Sequence, residues 1–249
     1  MSDRTLVILP TYNERENLQR MVERLWASVP HAHVLVVDDG SPDGTGDLAD
    51  AIAAADDRVH VLHRTVKAGL GAAYLAGFQW ALHDGFDVIV ECDADGSHQP
   101  EELPRLLQAI AEGADLVIGS RWVDGGSVVD WPLGRRLLSR GGSAYARLML
   151  RLPQRDVTGG YRAFRAATLD SLALGTVASE GYCFQIELLW RAVRRGFRIV
   201  EVPITFTERT HGTSKMDSRI VIEAMWRVTG WGLALLAGQP EPAKVPSHA

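Results

Sequence analysis

Five short apolar runs divide the first half of the chain: Leu6–Leu9, Val34–Val37, Val59–Leu62, Val88–Val90 and Leu116–Ile118. Each is too short for a helix and shows no polar alternation, so each reads as a strand covered on both faces. Between them lie segments with helical spacing. Leu18, Met21, Val22 and Leu25 mark one over Glu14–Ser28, and Thr45–Ala55, Gly71–His83 and Glu101–Glu112 supply three more. Doubly buried strands separated by amphipathic helices predict an α/β fold with a mostly parallel, Rossmann-like sheet flanked by helices. Such sheets bind ligands beyond the carboxyl ends of their strands. Three of those ends carry chemistry here: PTYNE after the first run, DDGSPDG after the second and DADGS after the fourth. All three are expected on one edge.

The second half is less regular. Arg121–Gly134 reads as a glycine-containing loop, Leu137–Arg151 and Tyr182–Arg194 as helices, and Tyr161–Phe164 and Ile199–Ile204 as strands. Ile220–Ala237 has helical spacing with a broad apolar face, an amphipathic C-terminal helix. The proline-bearing stretch 238–249 reads as a disordered tail. A chain of 249 residues suits one α/β domain with an appendage. Its net charge of -5 argues against a nucleic-acid partner. Cys92 and Cys183 both sit in apolar runs and read as reduced, buried thiols. MSDRTLVILPTYNE lacks a signal-peptide pattern, and no apolar stretch reaches the roughly 18 residues of a membrane span. The expected compartment is the cytoplasm.

Asp93 and Asp95 close the fourth strand. Buried carboxylates are costly when idle, and strand-end acids with open coordination hold Mg²⁺ or Mn²⁺ beside phosphate oxygens. A helix start is the plainer explanation, because Ser97 and Glu101 supply capping chemistry before LPRLLQAI. Capping leaves Asp93 unexplained. The acidic turn Asp38–Gly44 mimics a calcium loop, but a strand precedes it and Asp50 stands where that loop needs Glu, so the EF-hand reading fails. A strand-end acid such as Asp39 instead accepts hydrogen bonds from a base or ribose. Lys67-Ala68-Gly69-Leu70-Gly71 is half of a dinucleotide fingerprint, with Tyr74 in the third glycine's place. Its glycines read as a tight helix entry, and Lys67 as solvated or near phosphate. The sequence has no Walker lysine, GxSxG elbow or HExxH. Arg121, Arg135, Arg136, Arg209 and Lys215 recur in loops; one alone is surface charge, whereas several near a metal make a phosphate site. Trp122 and Trp131 either cover a bound sugar or prenyl group or simply pack.

Taken in order, PTYNE, VVDDGSPDGT, KAGLGAAYLAGF, DADGSHQP, GSR, the WP and Arg of WPLGR, TGGYRAF and a late ER with SKM resemble glycosyltransferase family 2. Within it the resemblance is specifically to the dolichol- and polyprenol-phosphate mannose synthases, and it runs to about Met216. The resemblance implies a GT-A fold and an inverting transfer of mannose from GDP-mannose to a polyprenyl phosphate with Mg²⁺ or Mn²⁺. Position by position, it implies that Pro10, Tyr12 and Glu14 line a guanosine pocket with Val37 and Asp39. Asp93 and Ala94 would touch the nucleotide sugar and Asp95 the metal. Arg121, Arg135 and Arg209 would bind donor or acceptor phosphate, with Lys215 beside them. The archaeal pattern has Gln, a metal contact, two residues after the second acid; this chain has Ser97, so its hydroxyl or a water substitutes, or the ion is held less firmly. His98 reads as a residue that stabilises the turn. On this resemblance 1–212 form the catalytic domain and 213–237 a helical segment that faces the membrane.

Charge dictates the rest. A departing diphosphate gathers negative charge, while an anionic phosphate acceptor needs no strong general base, so Asp93 and Asp95 are expected to organise the donor. A lipid acceptor also requires contact with a bilayer. Either Ile220–Ala237 rests on the cytoplasmic face through Trp226, Trp231 and Leu233–Leu236, or it packs on the domain and a membrane-embedded partner supplies the anchor. The nearest rival is the same fold using UDP-glucose. A sugar-1-phosphate nucleotidyltransferase would need a basic glycine-rich loop where PTYNERENL stands. A noncatalytic nucleotide-sugar binding protein would bind without turnover.

Overall fold

The structure, a computed structural model, describes residues 4–177, 183–208 and 218–238. Its first half builds four parallel strands and their crossovers: β1 (Thr5–Thr11), α1 (Arg15–Ser28), β2 (His33–Asp38), α2 (Thr45–Ala55), β3 (Val59–His63), α3 (Leu70–His83) and β4 (Val88–Glu91). A 3₁₀ turn at Pro100–Glu102 leads into α4 (Leu103–Ala111), followed by β5 (Leu116–Ser120) and β6 (Ser127–Val129). Then come α5 (Leu133–Leu150), β7 (Arg162–Arg165), α6 (Ala166–Ser171), α7 (Cys183–Arg194), β8 (Ile199–Pro203), β9 (Thr205–Thr207) and α8 (Ser218–Leu236).

Seven strands form one sheet in the order β3-β2-β1-β4-β7-β5-β8. Four of the five runs that read as doubly buried are so, Leu6 to Leu9 and Val34 to Val37 having no exposed surface, whereas β3 lies at the sheet edge and is half-buried beyond Val59. Alternate residues feed different cores. Leu6, Ile8, Leu35, Val37 and Ile89 pack on one face with Tyr74, Phe78, Phe164, Phe184 and Trp190. Val7, Leu9, Val34, Val36 and Val90 pack on the other with Leu18, Met21, Leu25, Leu106 and Ile110. Each such side chain contributes about 1.5–3 kcal/mol by leaving water, so both faces drive assembly. Gly77 lets α3 lie flat on β1, since a Cβ there would stand 2.8 Å from Ile8 Cγ2.

β7 breaks the parallel pattern. It runs antiparallel between β4 and β5, with Ile89 opposite Phe164 and Glu91 opposite Arg162. Its direction brings the loop before it, Asp156–Tyr161, to the edge where β1, β2, β4 and β5 end. One sheet edge therefore collects five chain segments.

Several expectations change in the second half. The stretch Arg121–Gly134 is not all loop: β6 pairs in parallel with β9, and a bridge joins His98 to Phe206. These strands are three residues long and mostly exposed or half-buried, so they carry no periodicity to read. α5 begins at Leu133, one turn before Leu137, because Pro132 in extended backbone supplies the start while Leu133 and Leu137 face outward. The strand expected to reach Ile204 ends at Pro203. α8 packs on the domain through one side, where Val228 and Trp231 join the main core, whereas Trp226, Leu233 and Leu236 remain 74%, 58% and 69% exposed. Trp231 stacks on Trp190 at 5.5 Å and is thus a packing residue, not a surface contact. The proposed tail beyond Gly238 lies outside the described residues.

Candidate active site

Parallel pairing in register sets the strand ends level. Pro10 pairs with Val37 and Thr11 with Asp38, while Ile8 pairs with Glu91, so Asp93 follows β4 beside Pro10. Asp38 is consumed by the turn, accepting hydrogen bonds from Thr11 Oγ1 at 2.9 Å, Ser41 N at 3.0 Å and Ser41 Oγ at 2.5 Å. Asp39 points elsewhere. It is buried and receives Arg64 Nη1 at 2.8 Å. Burial lifts its carboxyl above the usual carboxylate range, and Arg64 opposes that rise. Tyr12 holds the Lys67 ammonium over its ring at 3.7 Å, and Glu14 accepts Asn17 Nδ2 at 2.8 Å. Pro10, Tyr12 and Glu14 are half-buried and Val37 is fully buried, so these five expected nucleoside residues lie across the ends of β1 and β2.

The turn after β4 is built around its acids. Asp93 Oδ1 accepts the Tyr74 hydroxyl at 2.9 Å, and the Asp93 backbone N–H donates to His98 Nδ1 at 2.9 Å. His98 is buried against Tyr161 at 4.9 Å between ring centroids, and burial lowers its pKa. It is therefore neutral and stabilises the turn, as its position suggested. Asp95, 7% exposed, accepts the Ser97 N–H at 3.0 Å. The capping reading of Ser97 and Glu101 is not realised: no side-chain cap closes that helix start, and Glu101 pairs with Arg24 at 2.6 Å. Ser97 Oγ is buried and has no hydrogen-bond partner among the described residues.

That donor set suits a hard divalent cation. Asp95 and Ser97 offer only oxygen, the ligand type that Mg²⁺ and Mn²⁺ take, and the orphaned Ser97 hydroxyl has capacity to spare. Among the described residues no cluster of three His, Cys, Asp or Glu could hold an ion alone. A cation at Asp95 would need ligand oxygens or water to complete its shell.

Beside the acids lies a pocket of about 150 Å³, lined by Tyr74, Asp93, Ser97, His98, Arg121, Trp131 and Arg135, and by α5 and α8 residues including Leu138, Tyr145, Met225 and Val228. Arg121 and Arg135 reach it in different ways. Arg121 is gripped by fully buried Asp156, through Nε at 2.8 Å and Nη2 at 2.7 Å, with Thr158 Oγ1 at 3.0 Å. Arg135 pairs with Glu208 and lies 4.1 Å over Trp131. Trp122, Trp131 and Phe206 surround the Arg121 guanidinium at 5.4–5.6 Å. Aromatic faces stabilise such cations, and their low polarity keeps the field of the guanidinium from being screened. Trp131 thus both packs and lines the pocket. Arg209 and Lys215 lie outside the described residues.

Below the pocket, Glu91 is fully buried. Burial pushes its carboxyl up to about 8 and pushes the facing Arg162 down to about 10. Arg162 spends its hydrogen bonds on the carbonyls of Val157, Gly159 and Gln185, fastening the loop before β7 to the first turn of α7. Sequence reasoning missed Glu91, Asp156, Gln185 and Glu208. A Gln inside the apolar run CFQIELLW and a Glu at the end of VIVE were the available signals, since a polar residue in a buried run needs a reason.

Comparison with known proteins follows the same lines. Residues 6–172 match the model of glycosyl transferase family 2. The polyprenol monophosphomannose synthase of Mycolicibacterium smegmatis is 60% identical over 233 residues, which are 93% of this chain and 88% of that protein. The undecaprenyl-phosphate mannosyltransferase of Micrococcus luteus is 59% identical over 231 residues, 93% of this chain and 95% of that one. Among solved structures, glucosyl-3-phosphoglycerate synthase from Mycobacterium tuberculosis, in complex with Mn²⁺, UDP and glucosyl-3-phosphoglycerate, superposes with a TM-score of 0.63. It is 23% identical, with 96% of this chain and 82% of that one covered, a likeness of fold.

Proposed function

The chain belongs to glycosyl transferase family 2 and has a GT-A fold, and from that premise we propose that it transfers mannose from GDP-mannose to a polyprenyl phosphate. The names of the two relatives support the sugar and the acceptor class. The observation that carries the reading is the pocket. One wall holds the strand-end acid Asp93 and Arg121, and the other is formed by α5, which contributes Arg135, and by α8. Those helices also display Leu133, Leu137, Leu148, Trp226, Leu233 and Leu236 to solvent.

Each group has a task in this reading. Pro10, Tyr12 and Glu14 line the guanosine, with Val37 packed in the core behind them, and Asp39 accepts hydrogen bonds from it. Asp93 and Ala94 hold the sugar nucleotide, and Asp95 with Ser97 holds Mg²⁺ or Mn²⁺. When bound, the cation supplies Lewis-acid neutralisation of charge on the departing diphosphate. Arg135 attracts the acceptor phosphate, with Arg209 and Lys215 adding charge, and Arg121 contributes its field from a fixed position. The acceptor is already an anion, so no side chain has to remove its proton. The new bond from phosphate oxygen to the anomeric carbon forms as the bond to GDP breaks, with inversion.

Among the described residues no helix is long and apolar enough to cross a membrane. The exposed faces of α5 and α8 suit a peripheral contact with the cytoplasmic leaflet, with or without a membrane-embedded partner. The test is incubation of the purified protein with labelled GDP-mannose, UDP-glucose or UDP-GlcNAc, polyprenyl phosphate and Mg²⁺ or Mn²⁺. Label from GDP-mannose alone is expected in the lipid extract. Label from UDP-glucose instead would overturn the donor, and no label from any donor would overturn the activity.

A further inference from the structure

One side chain on the pocket floor has no task in the mechanism above. Gln185 is 2% exposed and lines the pocket with Tyr74, Asp93, His98 and Gly160. Neither its amide nitrogen nor its carbonyl oxygen has a hydrogen-bond partner among the described residues. Buried amides are almost always satisfied, and one left open is destabilising unless a ligand completes it. The space in front of it is kept clear. A Cβ on Gly160 would stand 3.8 Å from Gln185 Nε2 and 3.6 Å from His98 Cε1, and the glycine leaves that volume to the pocket.

The amide is also firmly based. Arg162 Nη1 donates to the Gln185 backbone carbonyl at 2.7 Å, fixing the first turn of α7. Glu91 lies beside the amide, fully buried, and neither of its carboxyl oxygens has a partner in hydrogen-bond geometry among the described residues. Gln185 is near enough to favour the charged form of that carboxyl, though outside hydrogen-bond geometry. A fixed group of this kind discriminates between ligands better than a mobile one.

The chemistry of the amide selects its ligand. It offers one donor group and one acceptor and carries no charge. A prenyl chain makes no hydrogen bonds. Phosphate oxygens only accept, and here they would face the carboxyl group of Asp93. A hydroxyl donates and accepts at once, matching both ends of the amide. We infer that Gln185, backed by Glu91, reads one hydroxyl of the transferred hexose and so helps determine which hexose the site takes. This inference rests on the hexosyl transfer proposed above.

The test compares wild type and Gln185→Met, which keeps length and volume but removes the amide. Turnover is measured with the nucleotide hexose the wild type uses and with its monodeoxy analogues, each lacking one hydroxyl. Wild type should lose about 10- to 100-fold in kcat/KM with one analogue, and Gln185→Met should lose that factor with the full donor and nothing further with the same analogue. Should the variant turn over too slowly, calorimetric titration gives the second reading. Its affinity for the nucleotide sugar should fall to that for the nucleoside diphosphate, while the latter matches wild type. Thermal stability separates the alternatives, because an amide without internal partners costs nothing when removed, so Tm should hold or rise. Additive losses across all analogues, or a fall in Tm with unchanged selectivity, overturns the role of Gln185 alone. Failure of wild type to transfer from any nucleotide hexose overturns the proposed function with it.

Discussion

Removing the carboxylate of Asp156 should damage this protein more than removing any charge on its surface. Asp156 is fully buried and Arg121 is 7% exposed. The carboxylate accepts three hydrogen bonds from Arg121, from N at 2.9 Å, Nε at 2.8 Å and Nη2 at 2.7 Å. Charge-assisted bonds contribute about 1.5–3 kcal/mol each, which would sum to about 4.5–9 kcal/mol. That sum is too high, because deleting the carboxylate also relieves its own desolvation. Breaking one side of a buried pair costs about 3–5 kcal/mol, and the smaller figure governs. At about 2–4 °C per kcal/mol for a chain of this size, Asp156→Ala should lower Tm by about 6–20 °C. Scanning calorimetry reads the shift, and Asp156→Asn, which keeps the volume and one acceptor, should fall between. A Tm for Asp156→Ala within about 2 °C of wild type would refute the reasoning. Arg121 would then not be committed to the fold, and its guanidinium would be released for ligands.

Asp95→Ala should lower kcat/KM on the order of 10²–10³-fold, with no rescue by added Mn²⁺ and an unchanged circular dichroism spectrum; turnover equal to wild type contradicts the role. Glu91 is raised to about 8 in the fold against 4.5 unfolded, so folding takes up a proton between those values and stability falls as pH rises through that window. Glu91→Gln should remove that slope, so its Tm advantage over wild type should widen from about pH 5 to about pH 8, whereas a gain independent of pH would argue against it. Trp226→Glu and Leu233→Glu each withdraw a large apolar side chain from the proposed bilayer contact. Each should weaken vesicle flotation by about 10- to 100-fold, and unchanged flotation would place the contact elsewhere.

The sheet was largely legible because its strands are buried on both faces. A run such as VLVV admits few other readings, and α2 starts and ends where its spacing put it. β7 hid its direction, since antiparallel insertion between β4 and β5 leaves no local mark in RAFR. β6 and β9 hid because three half-exposed residues carry no period. At the site, the acids announced themselves at strand ends and Arg121 in a loop, whereas Arg135 and Arg136, expected in a loop, lie in the first turn of α5. The partners of the arginines did not announce themselves. Asp156 meets Arg121 across 35 residues, and Glu208 meets Arg135 across 73, so only the fold reveals which cations are already paired. Trp226 and Trp231 stand five residues apart, about 140° around the helix, so the first stays in solvent while Trp190 buries the second.

The central claim is that Asp95 and the edge beside it hold a cation and a nucleoside diphosphate together. A crystal grown with GDP and Mn²⁺, measured at the manganese absorption edge, tests it directly. An anomalous peak at an Asp95 carboxylate oxygen, shared with the GDP diphosphate while the nucleoside rests against Asp39, is the result expected. GDP bound at that edge with no manganese at Asp95, or manganese bound elsewhere, would contradict the account.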